Sequence, residues 1–518
     1  MSNQSRTFKS LKNSIYSFGF YILSLGLQFF SRKIFLEHLG VEILGLNTTA
    51  LNLLQFINLA ELGITSAVSF TLYKPIHNHD TNAINEIVTL QGYLYQRIAL
   101  FVIVTSCLLM CFFPWIFQKM ELPLWYAYGS FSVLLFSSLL TYFVNYKQIV
   151  LTADQKGYKI IYSFKGVHLL KIIFQIIVVI YTRQGYIWWL ILEVLFSILA
   201  SIALHKTTVK TYPFLRTVDN SYKELKEKYH EFTTKIKQVF VHKIGSFALT
   251  QSSPLIIYAY ANLTLVAIYG NYMLIISGIQ ALVGSAFNSI TAGIGNLIAD
   301  GNKQRIISVF NELFSLRMAI SGIVTFVTGY MISDTIWLWI GDQYKLSNST
   351  ITLMLLIMFI NLSRYSVESF INAYGLYHDI WAPLTESALN IGLSILLGYY
   401  FRLNGILCGV LISLIVIVLI WKPYFLFSQH FKGNLHRYVL MYIKHILLLV
   451  VSAFISYYIL CNIPIQITTP LLKFFWNFTM ALFINATVTV GLFLSFKCEI
   501  SCFLRRITTI IKLKSSRN

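Results

Sequence analysis

About fourteen times along this chain a stretch of roughly twenty mostly apolar residues recurs, the length an α-helix needs to cross the hydrocarbon core of a bilayer. The stretches lie near 12–33, 42–72, 90–117, 125–149, 160–182, 185–205, 241–262, 266–298, 306–333, 350–377, 382–401, 405–427, 441–462 and 471–496. Composition agrees: 56% of residues are hydrophobic and only 12% charged, against about 25% charged in a soluble domain. In lipid the backbone must satisfy its own hydrogen bonds, so such stretches are helices. The expected fold is an all-α polytopic membrane protein of about 14 transmembrane helices. Residues 1–12 are polar and basic and lead into the first stretch without a small-residue cleavage site, which reads as a retained first helix.

The formal charge of +20 raises the question of nucleic acid, but the basic residues lie between apolar stretches and not in a soluble domain. They read as topological charge, and no nucleic-acid partner is expected. With the N-terminus in the cytoplasm, about 29 Lys and Arg fall inside, about 7 outside and about 4 within spans, so both termini are expected to be cytoplasmic. The six cysteines, Cys107, Cys111, Cys408, Cys461, Cys498 and Cys502, have neither zinc nor secreted-disulfide spacing. Metal and cofactor are therefore not expected.

An internal repeat organises the chain. The segment from Asp80 to Thr105 aligns without gaps on Asp300 to Thr325, pairing Asp80 with Asp300, Asn82 with Asn302, Ile87 with Ile307, Arg97 with Arg317 and Ala99 with Ala319. About eight positions in about 26 are identical, where composition alone would give about two. The same register pairs Ala153 with Ala373 and Gly185 with Gly405; upstream, Gly19 pairs with Gly245 and Ile64 with Ile290. An even number of spans separates the copies, so they are parallel repeats, as in transporters built from two lobes. The expected organisation is an N-terminal lobe over 1–205, a cytoplasmic linker over 206–240, a C-terminal lobe over 241–427, and two extra helices with a basic tail over 428–518. Two six-helix lobes facing each other suggest alternating access to a site between them.

Charges inside spans cost about 2.5–3.5 kcal/mol each and are functional candidates by default. Arg97 and Arg317 are repeat equivalents, and two guanidinium forks could clamp a phosphate; snorkelling to the interface is the alternative. Asn361, Arg364, Glu368 and Asn372 fall within about 80° of one helical face, which suits a cavity wall or, through the pair Arg364–Glu368, a helix-to-helix contact. Further polar faces are Ser17, Tyr21, Ser24, Gln28 and Ser31; Asn58, Glu61 and Thr65; and Ser277, Gln280, Gly284, Asn288 and Thr291. Glu61 is the first candidate for proton or ion coupling, followed by Glu193 and Glu368. Pro254 is a candidate hinge, and His168 and Lys171 suit structural or functional roles equally.

The repeat, the intramembrane arginines, the opening segment Ser14 to Phe20, the pattern Leu39 to Leu46 and the segment Glu61 to Ala67 together resemble the Wzx-like polysaccharide flippases. These belong to the multidrug/oligosaccharidyl-lipid/polysaccharide exporter superfamily, of MATE-like fold. The resemblance covers essentially the whole chain through diffuse motifs. It implies movement of an undecaprenyl-pyrophosphate-linked oligosaccharide across the bacterial inner membrane for O-antigen or capsule synthesis. It further implies membrane lipids and other polysaccharide-assembly proteins as partners, and a proton or sodium gradient as driving force. Relatives line the cavity with basic residues, and Arg97, Arg317 and Arg364 are compatible with that by type and depth, without an exact motif match. The two extra C-terminal spans are similar to those of lipid II flippases, where they help form a lipid-accepting groove. The alternatives are a MATE-type drug or cation antiporter and a membrane-embedded polysaccharide polymerase or ligase. An enzyme is disfavoured because no outer loop exceeds roughly fifteen residues and no catalytic constellation stands out.

Overall fold

A computed structural model describes residues 6–61, 64–229, 252–299, 301–376, 379, 381–463 and 467–499. Among these residues every regular element is a helix. Among the described residues nine helices are long and apolar enough to cross a bilayer, and the pair Trp125–Phe143 and Asn145–Ala153 passes the same test together with a bend of 60° between its members. The longest, Trp381–Gln429, is 49 residues. Arg402, at φ 52° and ψ −132°, folds it into two legs. The backbone follows from the solvent, since only a helix pairs every N–H and C=O inside an apolar stretch.

Contacts divide the chain into two compact units, Met1–Tyr269 and Gly270–Asn518. The first holds α1 (Arg6–Leu39), α2 (Val41–Ile57), α3 (Ile64–His77), α4 (Thr81–Cys111), α5 (Trp125–Phe143), α6 (Gly166–Tyr181), α7 (Gly185–Thr211) and the short α8 (Tyr222–Lys228). Residues 252–269, expected with the C-terminal lobe, count with this unit. The physical reason is close packing: a Cβ on Gly45 would stand 2.0 Å from the Leu263 carbonyl oxygen, so only glycine lets α2 approach there. Lys119 also donates to the Ala259 carbonyl at 2.9 Å.

The linker begins as a strap along α4. Asn85 donates to the Phe214 carbonyl and accepts from the Arg216 N–H, both at 3.1 Å. The Val218 N–H donates to Thr89 at 3.1 Å, and Tyr93 donates to the Asn220 carbonyl at 3.2 Å. Ser221 and Glu224 then close a capping box that starts α8. Lys228 and Tyr229 return to Glu86 at 2.7 and 2.6 Å. Burial first, and the Glu86 carboxylate second, raise the Tyr229 hydroxyl above its usual range. The remainder of the linker, 230–240, lies outside the described residues.

The second unit contains most of α9 (Leu263–Ala299), then α10 (Lys303–Ile340), α11 (Asn348–Ser363), α12 (Tyr365–Tyr374), α13 (Trp381–Leu414), α14 (Lys422–Gln429), α15 (Leu435–Asn462) and α16 (Pro470–Ser495). A π-helix, Ile415–Trp421, joins α13 to α14. The legs either side of Arg402 pack backbone to backbone: a Cβ on Gly405 would meet the Leu397 carbonyl oxygen at 2.0 Å, and one on Gly409 the Ser394 nitrogen at 2.4 Å. The core here is aromatic, with Phe310, Phe314, Phe370, Phe427 and Tyr438 in one cluster. The last two spans join α10 through Ser315, which lies 2.8 Å from His445 of α15 and donates to Glu499 at 3.1 Å. The repeat shows at α4 and α10 with a slip. Asp80 caps α4, but Asn302, equivalent to Asn82, caps α10.

Candidate functional site

In the first unit the second span is interrupted where it carries its acid. A 3-10 turn, Asn58–Glu61, follows α2, and α3 resumes at Ile64. The Glu61 carboxylate accepts from the Tyr95 hydroxyl at 3.0 Å and from Thr65 at 3.4 Å. Thr65 and Tyr95 also bond to each other at 3.0 Å. Asn58 donates to Ser138 at 2.9 Å. Among the described residues Glu61 has hydroxyl partners and no ion pair.

Glu193 stands in the opposite condition. Its Oε1 pairs with Lys171 Nζ at 2.6 Å, and its Oε2 accepts from Gln175 at 3.0 Å, tying α7 to α6. The carboxylate and the ammonium are both largely buried and neutralise each other. Lys171 is thus the charge partner of Glu193.

The repeat-related arginines occupy unlike surroundings. Arg97 is exposed, and its guanidinium lies 3.9 Å over the ring of Tyr222, the first residue of α8. Arg317 is buried at 5% exposure. Its guanidinium lies 3.5 Å over Phe287 and 5.0 Å over Tyr365, a cation–π sandwich. Its Nη1 has no hydrogen-bond partner among the described residues, and neither does the Oγ of nearby Ser366. A small cavity of about 20 Å³ touches Arg317, Tyr365, Ser366 and Ser369. Aromatic faces stabilise the cation without neutralising it, and among the described residues no carboxylate pairs with it.

Arg364 is instead the centre of an ion network. It sits at the break between α11 and α12 and donates through Nε to Glu368 Oε1 at 2.8 Å, with Nη2 2.6 Å from the same oxygen. Nη1 donates to Asn361 at 3.3 Å. Lys422, the first residue of α14, bonds to the same Glu368 oxygen. Glu386 on α13 approaches Arg364 Nη1 at 3.9 Å. Asn372 is exposed near the end of α12, one turn beyond Glu368. Of the other polar faces, Gln28 donates to Ser24 at 3.3 Å, whereas the side chains of Asn288 and Thr291 lie outside the described residues.

Two members of the network escape a reading of the sequence. Lys422 follows an apolar run, as loop cations do, yet it is turned inward onto Glu368. Glu386 gave a usable signal, an acid in an otherwise apolar span, but its partners come from other helices. Among the described residues no three His, Cys, Asp or Glu side chains gather as a metal site.

No family model matches the chain, and no curated protein is similar to it in sequence. Solved structures are similar in fold. A lipid II flippase MurJ in an inward closed conformation superposes with TM-score 0.66 at 15% identity, covering 96% of this chain and 100% of the flippase. An inward-facing multidrug-resistance MATE family transporter of the MOP superfamily gives TM-score 0.51 at 14% identity, covering 81% of this chain and 99% of the transporter. The protein is a multi-pass membrane protein with the MATE-like fold. Within that fold, the likeness to the lipid II flippase extends over nearly the whole chain.

Proposed function

We propose that this protein is a flippase that carries an undecaprenyl-pyrophosphate-linked oligosaccharide from the cytoplasmic to the periplasmic leaflet of a bacterial inner membrane, in O-antigen or capsule synthesis. The observation that carries the reading is Arg317, a buried guanidinium whose Nη1 has no hydrogen-bond partner and which pairs with no carboxylate among the described residues. A cation left uncompensated in a span calls for an anionic ligand, and guanidinium matches phosphate oxygens. The cavity beside Arg317 is small, so substrate entry requires Phe287 and Tyr365 to part. Arg364, Glu368 and Asn361 contribute through the network they form, and Arg97 through its contact with Tyr222. Both termini are cytoplasmic in this reading, and membrane lipids and other polysaccharide-assembly proteins are its partners. The driving force is a proton or sodium gradient, for which Glu61 is better suited than Glu193, whose charge Lys171 already answers.

The test is leaflet-resolved detection of lipid-linked oligosaccharide in a deletion strain complemented with wild type or Arg317→Gln. A charge-assisted bond to phosphate is worth roughly 1.5–3 kcal/mol, so export should fall about 10- to 100-fold at equal membrane level. Arg317→Lys should restore it only in part, because the planar fork is lost. Export unchanged in Arg317→Gln would remove the main support for an anionic substrate. Glu61 keeps a second reading in view, a drug or cation antiporter, because an unpaired carboxylate suits cationic cargo. In that case Glu61→Gln would abolish resistance to cationic drugs while glycan export stayed intact.

A further inference from the structure

Arg364 lies between two carboxylates and is bonded to only one. Glu368 Oε1 takes Nε and Nη2 of Arg364 together with the ammonium of Lys422, so one oxygen serves two cations. Glu386 faces the same guanidinium at 3.9 Å, beyond hydrogen-bond distance, while the intervening Nη1 is spent on Asn361. Glu386 is 2% exposed, and its Oε1 has no hydrogen-bond partner. Asn390, one turn further along α13, is fully buried with its own amide unpartnered and makes no bond to it. Arg364, Glu368 and Lys422 are the charged groups that act on Glu386 among the described residues.

An ionised carboxylate in this position would be desolvated with neither a hydrogen bond nor a full ion pair in return. Buried groups in that condition neutralise by taking a proton. We propose that Glu386 is a proton-binding site of the second unit, protonated in the arrangement described. When the proton leaves, the new carboxylate competes for the guanidinium. Arg364 then moves its fork from Glu368 to Glu386, and Glu368 keeps Lys422. The network passes from two cations and one anion to two of each, so every charge gains an opposite partner. The cost of this neutral state is moving Arg364, which is why proton loss and side-chain movement belong to one step.

A second feature points the same way. Arg364 occupies the break between α11 and α12, and Lys422 directly follows the seven-residue π-helix Ile415–Trp421. Breaks and π-helices are places where local geometry changes without unfolding the span, and they gather at functional sites. The two cations of the network are therefore mounted on elements able to respond to its charge. The inference concerns protonation alone and holds whichever substrate the protein carries.

The experiment is infrared spectroscopy of the full-length protein in lipid nanodiscs through a pH titration, with and without ¹³C-labelled glutamate. Wild type should show, at neutral pH, a protonated-carboxyl band that shifts with the label. Glu386→Gln should lose that band. Glu368→Gln should lose it too, because both cations then turn to Glu386 and ionise it. Arg364→Gln should retain it to higher pH. If Glu386→Gln fails to accumulate, labelled Glu386→Asp serves in its place, and its acid band should no longer respond to glutamate labelling. A wild type without a protonated glutamate, or a band that survives in Glu386→Gln, overturns the proposal.

Discussion

A charged side chain inside this protein is defined less by its depth than by whether another charge answers it. Arg364 and Lys171 sit in spans paired with carboxylates, whereas Arg317, also in a span, has none among the described residues. Lys171 and Glu193 illustrate the cost of undoing a pair. Lys171→Met would leave Glu193 buried with Gln175 alone, which should destabilise the first unit by roughly 3–5 kcal/mol. Adding Glu193→Leu should recover most of that loss, because no uncompensated charge then remains. Thermal unfolding of the purified single and double variants measures both. If the single variant is as stable as wild type, the pair lies open to solvent. Arg364–Glu368 was legible in the sequence, since residues four apart share a helical face. Glu386 and Lys422 were not, because each reaches the network from a different helix.

At the level of elements, irregularity marks the positions of interest: the turn at Glu61, the break at Arg364, the reversal at Arg402 and the π-helix before Lys422. The reversal depends on glycine. Because a Cβ on Gly409 would stand 2.4 Å from the Ser394 nitrogen, Gly409→Ala should cost about 1–3 kcal/mol through forced backbone separation. Gly392→Ala is the control, with nothing within 4 Å of its Cβ, and should be neutral or slightly stabilising. Thermal shift of the two variants decides, and equal melting would mean the legs are not in close contact. The strap along α4 gives another expectation. Asn85→Ala removes two linker bonds and leaves the Phe214 carbonyl and Arg216 N–H without their partner. Amide exchange at Arg216 should accelerate about 5- to 10-fold, as expected for loss of a net bond of about 1 kcal/mol. Exchange at the unlinked core of α7 should not change. The strap was invisible in the sequence, where 206–240 reads as a cytoplasmic linker. Asn85, Thr89 and Tyr93 hold it through hydrogen bonds to its backbone, which carries no residue signature.

For the whole molecule, the distribution of basic residues sets the expected orientation. Reporter fusions after Leu204 and after Lys514 should both report cytoplasm, and a periplasmic signal from the second would mean a miscounted span. What the amino-acid sequence determined by itself was the solvent, the helical class, the rhythm of the spans and the repeat. Each depends on hydropathy or identity along a single stretch, and the bilayer forces each apolar stretch into a helix wherever it lies. The tertiary structure decided which arginine is answered and which is not. It also set which acid is paired, and placed the first residues of α9 with the first unit. Those outcomes depend on which helix faces lie together at distances of 3 to 4 Å. Linear order leaves that open, because a charged side chain in lipid is satisfied equally well by a partner from any neighbouring helix.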